Sequence, residues 1–220
     1  MMGRLQAALE QGAVDLGLAL TETQSASLLA YLELLQKWGR VYNLTAVRDP
    51  DEMLTYHLLD CLAVIGPLRR EIGKLGVADA ARLLDVGSGA GLPGVVISVC
   101  CPGVFVTCVD TVAKKTAFVQ QVAATLRLPN LRAIHARVEN LTEPYDIVVS
   151  RAFASLADFT QCSANALAPG GVWAAMKGKY SEEEIAGLPP SLQVFHVEQL
   201  QVPGLEAQRC LVWIRQRPAA

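Results

Sequence analysis

Histidine is scarce in this chain, with 3 among 220 residues, and the 6 cysteines contain no C-x-x-C pair. Too few ligands at workable spacing remain for a structural zinc, and no disulfide framework is legible. Of Cys61, Cys100, Cys101, Cys108, Cys162 and Cys210, most fall in apolar runs, the ordinary place of buried thiols, and they imply a reducing cytoplasm. Charge is sparse too: 18 % of residues are charged against 52 % apolar, a balance that excludes long disordered segments. No apolar stretch reaches the roughly 20 residues of a membrane-spanning helix. Residues 1–20 do not pair a basic start with an apolar block, so no secretory leader is expected. A net charge of −2 gives no general attraction for polyanions. Internal repeats and low-complexity segments are missing as well.

What is present is concentrated at residues 83–94, Leu-Leu-Asp-Val-Gly-Ser-Gly-Ala-Gly-Leu-Pro-Gly. An apolar run ends in closely spaced glycines, and Pro93 stands where a helix would begin. A strand, an uncrowded turn and a helix start let backbone N–H groups approach a bound molecule closely. Asp110 closes the next apolar strand, where a partner for a ribose hydroxyl is expected. Two adenosine-containing cofactors compete for this turn. Gly89, Gly91 and Gly94 fit the dinucleotide spacing G-x-G-x-x-G, whereas Asp85 followed by Gly87, Gly89 and Gly91 fits the loop of S-adenosylmethionine enzymes. Charge separates them. A pyrophosphate would meet the Asp85 carboxylate and be repelled, whereas a sulfonium and an ammonium would be attracted. S-adenosyl-L-methionine is therefore the expected cofactor, with a nicotinamide or flavin dinucleotide as the competing one.

Residues 1–76 read as helical and 77–220 as alternating α/β. Thr21 with Gln24 forms a capping box, and Leu28, Leu29, Leu32, Leu35 and Trp38 recur at helical spacing until Gly39. Asp49-Pro50 with Glu52 signals a second helix start. Beyond residue 82, strands are expected at 82–86, 104–109, 131–135, 145–150, 172–177, 192–200 and 209–215, and helices at 93–100, 113–127, 155–168 and 181–187. Alternation implies a parallel sheet with right-handed crossovers. The last two strands lack a helix between them and flank Pro203-Gly204, which predicts a hairpin and one reversed strand. The expected fold is a Rossmann-like, doubly wound class I S-adenosylmethionine-dependent methyltransferase sheet with a C-terminal antiparallel hairpin, behind an N-terminal helical cap.

Basic residues (Lys114, Lys115, Arg127, Arg132, Arg137, Arg151, Lys177, Lys179) fall largely after predicted strands or in the helices beside them. Such a rim binds phosphates, although a plain solvated surface gives the same pattern. Arg151 stands just past an inner strand, at the edge where open α/β sheets bind ligands. It or Arg137 can instead pair with an acid such as Asp146. Lys177 ends its strand in the same way and can bind an anion or simply reach solvent. His57 and Asp60 lie one helical turn apart, which suits a hydrogen bond on the helix surface. Phe153 is placed to stack on a base or to join the core. Trp38, Trp173 and Trp213 sit in periodic apolar runs and read as core.

These pieces occur in one order along the chain: Val-Tyr-Asn-Leu-Thr-Ala-Val-Arg-Asp at 41–49, His57 to Asp60, the glycine loop, Asp110 with Lys114-Lys115, Arg137-Val138-Glu139, Ser-Arg-Ala-Phe-Ala-Ser at 150–155, and Met176-Lys177-Gly178. The ensemble resembles the bacterial 16S ribosomal RNA (guanine-N7) methyltransferase G family, also called glucose-inhibited division protein B. The resemblance implies cofactor contacts from Gly87 and Leu92, backbone access at Gly89 and Gly91, and Val138 and Glu139 near the adenine. It puts Arg151 at the methionine end of the cofactor or at the RNA, Lys114 and Lys177 at the pocket mouth, and Asn43 at the edge of the site. With Arg137, these form the expected substrate-positioning set. The implied substrate is a guanine in the 530 loop of 16S ribosomal RNA, on the RNA or the small ribosomal subunit. Guanine N7 carries a lone pair and no proton, so no general base and no metal is expected. The protein is expected to be a cytoplasmic monomer with no membrane contact. Other RNA or small-molecule methyltransferases, an oxidoreductase and a non-enzymatic RNA-binding module remain as alternatives.

Overall fold

Helix starts follow the local sequence signals. The computed structural model describes residues 2–77, 80–151, 153 and 155–218; Ala152 and Ala154 of the Ser150–Ser155 stretch lie outside them. After α1 (Met2–Asp15), α2 (Glu22–Tyr42) opens on the expected capping box. Thr21 Oγ accepts the Gln24 N–H at 3.2 Å, and Gln24 Oε1 accepts the Thr21 N–H at 3.0 Å. The helix runs through Gly39 and stops at Asn43, whose φ of 51° supplies the left-handed turn that asparagine tolerates. Asp49 caps α3 (Pro50–Met53) with bonds from the N–H groups of Asp51 and Glu52. The same rod then loosens into a π-helical stretch, Leu54–Leu59, which the periodicity does not announce, before α4 (Asp60–Leu62) and α5 (Ile65–Leu75).

The sheet is built from β1 (Arg82–Val86), β2 (Phe105–Asp110), β3 (Leu131–His135), β4 (Tyr145–Arg151), β5 (Leu167–Lys177), β6 (Leu192–Leu200) and β7 (Arg209–Gln216). Its order is β3-β2-β1-β4-β5-β7-β6, with β7 antiparallel to both neighbours. The other pairs are parallel, so β1, β2, β4 and β5 end on the same edge. The chain leaves β1 in one direction for β2 and β3 and returns on the other side as β4. That reversal opens a crevice beyond the strand ends.

Alternation sorts the strand residues onto two faces. Leu83, Val106, Cys108, Ile147 and Val149 share one buried cluster with α1 to α5 and with α6 (Gly94–Cys100) and α7 (Ala113–Leu126). Leu84, Val86, Val109, Val148 and Trp173 share the other with α8 (Leu156–Cys162) and the residues flanking α9 (Glu182–Ala186). Trp173 and Trp213 are buried as expected, and Trp38 packs at the cluster's margin against Phe118, ring centroids 5.5 Å apart.

One expectation is corrected. The helix predicted over 155–168 ends at Cys162, gives a 3-10 turn at Ala164–Ala166, and yields to a strand from Leu167 rather than 172. Ser163 turns the chain: its Oγ donates to Phe159 O at 2.6 Å and accepts Trp173 Nε1–H at 2.9 Å. Pro169-Gly170-Gly171 is a bulge inside β5, where pairing jumps from Tyr145–Leu167 to Ile147–Val172.

Candidate active site

A cleft of about 900 Å³ opens at the edge where β1, β2 and β4 end. Val86 and Gly87 form its floor at β1, Val109 and Asp110 at β2, and Ser150 and Arg151 at β4. Lys115 of α7, Ala136 to Glu139 after β3, Phe153, and Asp158, Gln161 and Cys162 of α8 complete the walls. Ser150 Oγ donates to Val86 O at 2.9 Å, joining the ends of the two central strands.

The glycines divide into two kinds. Gly87 and Gly89 have φ of 66° and 57°, and a Cβ added to either would meet no atom within 4 Å. Gly87 lines the cleft with its backbone uncovered, whereas Gly89 lies outside the lining and gives its N–H to Asp110. A Cβ on Gly91 would instead lie 2.6 Å from Val95 Cγ2, and one on Gly94 would lie 2.5 Å from Cys108 Sγ. Gly91 is required by close packing of the turn on α6 and α7, and Gly94 by that of α6 on the sheet. Gly91 and Leu92 therefore do not line the cleft; Leu92 is buried in the core.

Asp110 bridges the turn and α7. Its Oδ2 accepts the Gly89 N–H at 2.9 Å, its Oδ1 accepts the Val112 N–H at 2.9 Å, and the Lys115 ammonium lies 3.8 Å from Oδ2. It both fixes the start of α7 and faces the cleft. Asp85 is placed differently from the expectation. It is fully buried behind the cleft wall, with Oδ2 accepting the Gly94 N–H at 2.8 Å at the first turn of α6 and Oδ1 left without a hydrogen-bond partner. Burial pushes its carboxyl up to about 7, while the bond from Gly94 pulls it down. The carboxyl thus titrates near neutrality and anchors a helix start; it is not a fixed anion at the loop surface.

Arg151 reaches from β4 into the helical layer. Its Nη1 donates to Tyr56 O at 3.0 Å and to Asp60 Oδ2 at 3.3 Å, while Arg209 Nε donates to Asp60 Oδ1 at 2.9 Å. Asp60, buried, therefore holds two arginines, and the surface hydrogen bond expected between His57 and Asp60 is not formed. His57 Nε2 is 2.8 Å from Thr45 Oγ1, and its Nδ1 is buried without a partner. Burial and the charge of Arg151 lower the His57 pKa to about 4. Asp146, considered above as a partner for Arg137 or Arg151, accepts the Arg82 backbone N–H instead.

The remaining expected residues are only partly gathered. Arg137, Val138 and Glu139 line the cleft. Lys114 is exposed outside the lining, because α7 turns Lys115 inward and adjacent helical residues point about 100° apart. Lys177 donates to Glu184 Oε1 at 2.7 Å, away from the lining. Asn43 is the C-cap of α2, its Oδ1 accepting Arg48 Nη2–H at 2.9 Å. Asp158, Gln161 and Cys162 of α8 join the lining without belonging to any of the motifs above. Their only signal was the i, i+3, i+4 spacing on one helical face. Among the described residues, no group of three or more His, Cys, Asp or Glu is arranged to hold a metal ion, and no helix is long and apolar enough to cross a membrane.

The model of the family described as rRNA small subunit methyltransferase G matches residues 24–212. A relative named ribosomal RNA small subunit methyltransferase G, from Polaromonas sp. strain JS666, is 63 % identical over 212 residues, 96 % of this chain and 94 % of that protein. Among solved structures, TrmN from Thermus thermophilus superposes with a TM-score of 0.54 at 17 % identity, over 74 % of this chain and 53 % of that one. A ribosomal protein L11 methylase from Lactobacillus delbrueckii subsp. bulgaricus gives 0.51 at 14 % identity, over 73 % and 77 %. The fold is that of the class I S-adenosylmethionine-dependent methyltransferases.

Proposed function

We propose, from the premise that the chain belongs to the rRNA small subunit methyltransferase G family, that it methylates N7 of a guanine in the 530 loop of 16S ribosomal RNA. It is an S-adenosylmethionine-dependent rRNA methyltransferase. The observation that carries the site assignment is the cleft at the sheet's reversal point, where the open backbone of Gly87 meets Asp110.

The residues fit the cofactor. Room beyond Gly87 admits a ligand against bare backbone, Asp110 offers acceptor oxygens for ribose hydroxyls, and Val109, Ala136, Val138 and Phe153 form an apolar wall suited to an adenine. The unpartnered Asp85 Oδ1 stands buried behind the same turn. In this reading Glu139 closes the adenine end and Arg151 serves the methionine end or the RNA. Arg137 and Lys115, both in the lining, meet substrate phosphates. Lys115 takes the role expected of Lys114, and neither Lys177 nor Asn43 is retained.

When bound, S-adenosylmethionine supplies a methyl group activated by its sulfonium. Guanine N7 has an in-plane lone pair and no proton to lose, so no residue of the cleft has to act as a base. The chain's contribution is alignment, worth up to roughly 7–11 kcal/mol in favourable cases. N7 lies on the edge that deep, narrow A-form RNA hides, so the nucleotide must be looped or unstacked. Residues 1–76 act as a helical cap on 77–220, supported by the core cluster the two share. The substrate is met in the cytoplasm, on the small ribosomal subunit or its RNA.

Labelled S-adenosylmethionine supplied to small subunits lacking the modification, followed by reduction and strand cleavage at N7-methylguanine, tests the assignment. One labelled guanine in the 530 loop is expected; label confined to other positions overturns the substrate.

A further inference from the structure

Among the described residues, four large apolar side chains are exposed: Val14, Tyr42, Tyr56 and Phe105, the tyrosines at 41 % and 42 % of their surface. The two tyrosines belong to segments that touch each other through Thr45 and His57. Tyr56 lies in the π-helical stretch, and its carbonyl oxygen accepts the Arg151 Nη1–H from the cleft wall at 3.0 Å. Tyr42 ends α2 with its ring centroid 5.2 Å from Trp38, which packs on Phe118 of α7. Phe118 is one turn along from Lys114, and Lys115 beside it lines the cleft. The 2.8 Å contact of Thr45 with His57 ties the segment after Tyr42 to the residue next to Tyr56. Arg137 lines the cleft and Lys114 is exposed next to Lys115; among the described residues, neither forms an ion pair.

Exposed aromatics on segments that touch the walls of a cation-lined cleft offer what a single-stranded nucleic acid needs: rings for bases to stack on and charge for phosphates. Packing does not account for the whole of either tyrosine, since each leaves two-fifths of its surface in water. We propose that Tyr42 and Tyr56 are stacking platforms for unpaired RNA nucleotides at the mouth of the cleft, positioning residues that act on RNA and not on the cofactor. The inference rests on the RNA substrate proposed above.

The test measures affinity for a labelled RNA stem–loop by fluorescence anisotropy, S-adenosylhomocysteine affinity by calorimetry, and methyl transfer to unmodified small subunits. Y42A and Y56A are each expected to weaken RNA binding about 5- to 100-fold and raise the RNA KM in step. Cofactor affinity should stay at the wild-type value. Phenylalanine, which keeps the ring, should restore RNA affinity, and leucine, which keeps only apolar bulk, should not. F105A, at the opposite end of β2, is the control that leaves RNA affinity unchanged. Alanine variants with wild-type RNA affinity, or leucine rescuing as well as phenylalanine, overturn stacking. RNA binding that depends on the tyrosines while the wild type fails to methylate small-subunit RNA would sustain this inference and sink the substrate assignment.

Discussion

A Cβ on Gly94 would lie 2.5 Å from Cys108 Sγ and 2.9 Å from Asp85 Oδ2, whereas one on Gly87 meets nothing within 4 Å. The same residue type therefore serves packing at one position and access at another. Gly94→Ala is expected to destabilise the fold by about 1–3 kcal/mol, because the added methyl must push a buried strand or its own helix aside. Gly87→Ala meets only the strain of a left-handed backbone, about 1 kcal/mol, and its main effect should be weaker S-adenosylhomocysteine binding. Thermal melting and calorimetry on the two variants separate these outcomes. A larger stability loss at Gly87 than at Gly94 would contradict the division. The sequence pattern shows the glycines but not which way their missing side chains would point.

At the scale of elements, one carboxylate links three of them. Asp60 follows the π-helical stretch and receives Arg151 from the end of β4 and Arg209 from the start of β7. These segments are far apart in sequence, and no local periodicity announces the meeting. Asp60→Ala leaves two guanidiniums facing each other without their shared acceptor. Both arginine side chains keep about a quarter of their surface exposed (25 % and 24 %), so water softens the penalty. A loss of about 2 kcal/mol is expected, with Asp60→Asn losing less because it retains one acceptor oxygen. Urea midpoints measure it; an unchanged midpoint for the alanine variant would show that the cluster adds nothing to stability.

For the whole molecule, two buried groups give opposed pH dependences. Asp85 is raised from 3.8 to about 7, so between those values the unfolded chain ionises first and stability falls as pH rises. His57 is lowered from 6.5 to about 4, so over that window the unfolded chain holds the extra proton and stability rises with pH. Each effect is on the order of 3 kcal/mol, and they nearly cancel between pH 4 and 6.5. Relative to wild type, Asp85→Asn should gain stability as pH rises through this range, and His57→Gln should lose it. Denaturant midpoints at pH 4.5, 5.5 and 6.5 decide the matter. Parallel curves for all three proteins would mean that neither group titrates as its surroundings dictate.

The order of strands and helices, the reversed last strand, the glycine turn, Asp110 and the helix starts at Thr21 and Asp49 were all determined by the sequence. Each is a local pattern read over a few residues: a period, a cap or a turn. Tertiary structure alone decided that Lys115 and not Lys114 enters the cleft, that Glu184 takes Lys177 out of it, and that Pro169-Gly170-Gly171 bulges within β5. It alone decided that Asp85 lies behind the wall and that Tyr42 and Tyr56 stay exposed. Those outcomes depend on helix phase, on which distant charge arrives within reach, and on how much water is excluded around a group. All three are set only when the segments pack together.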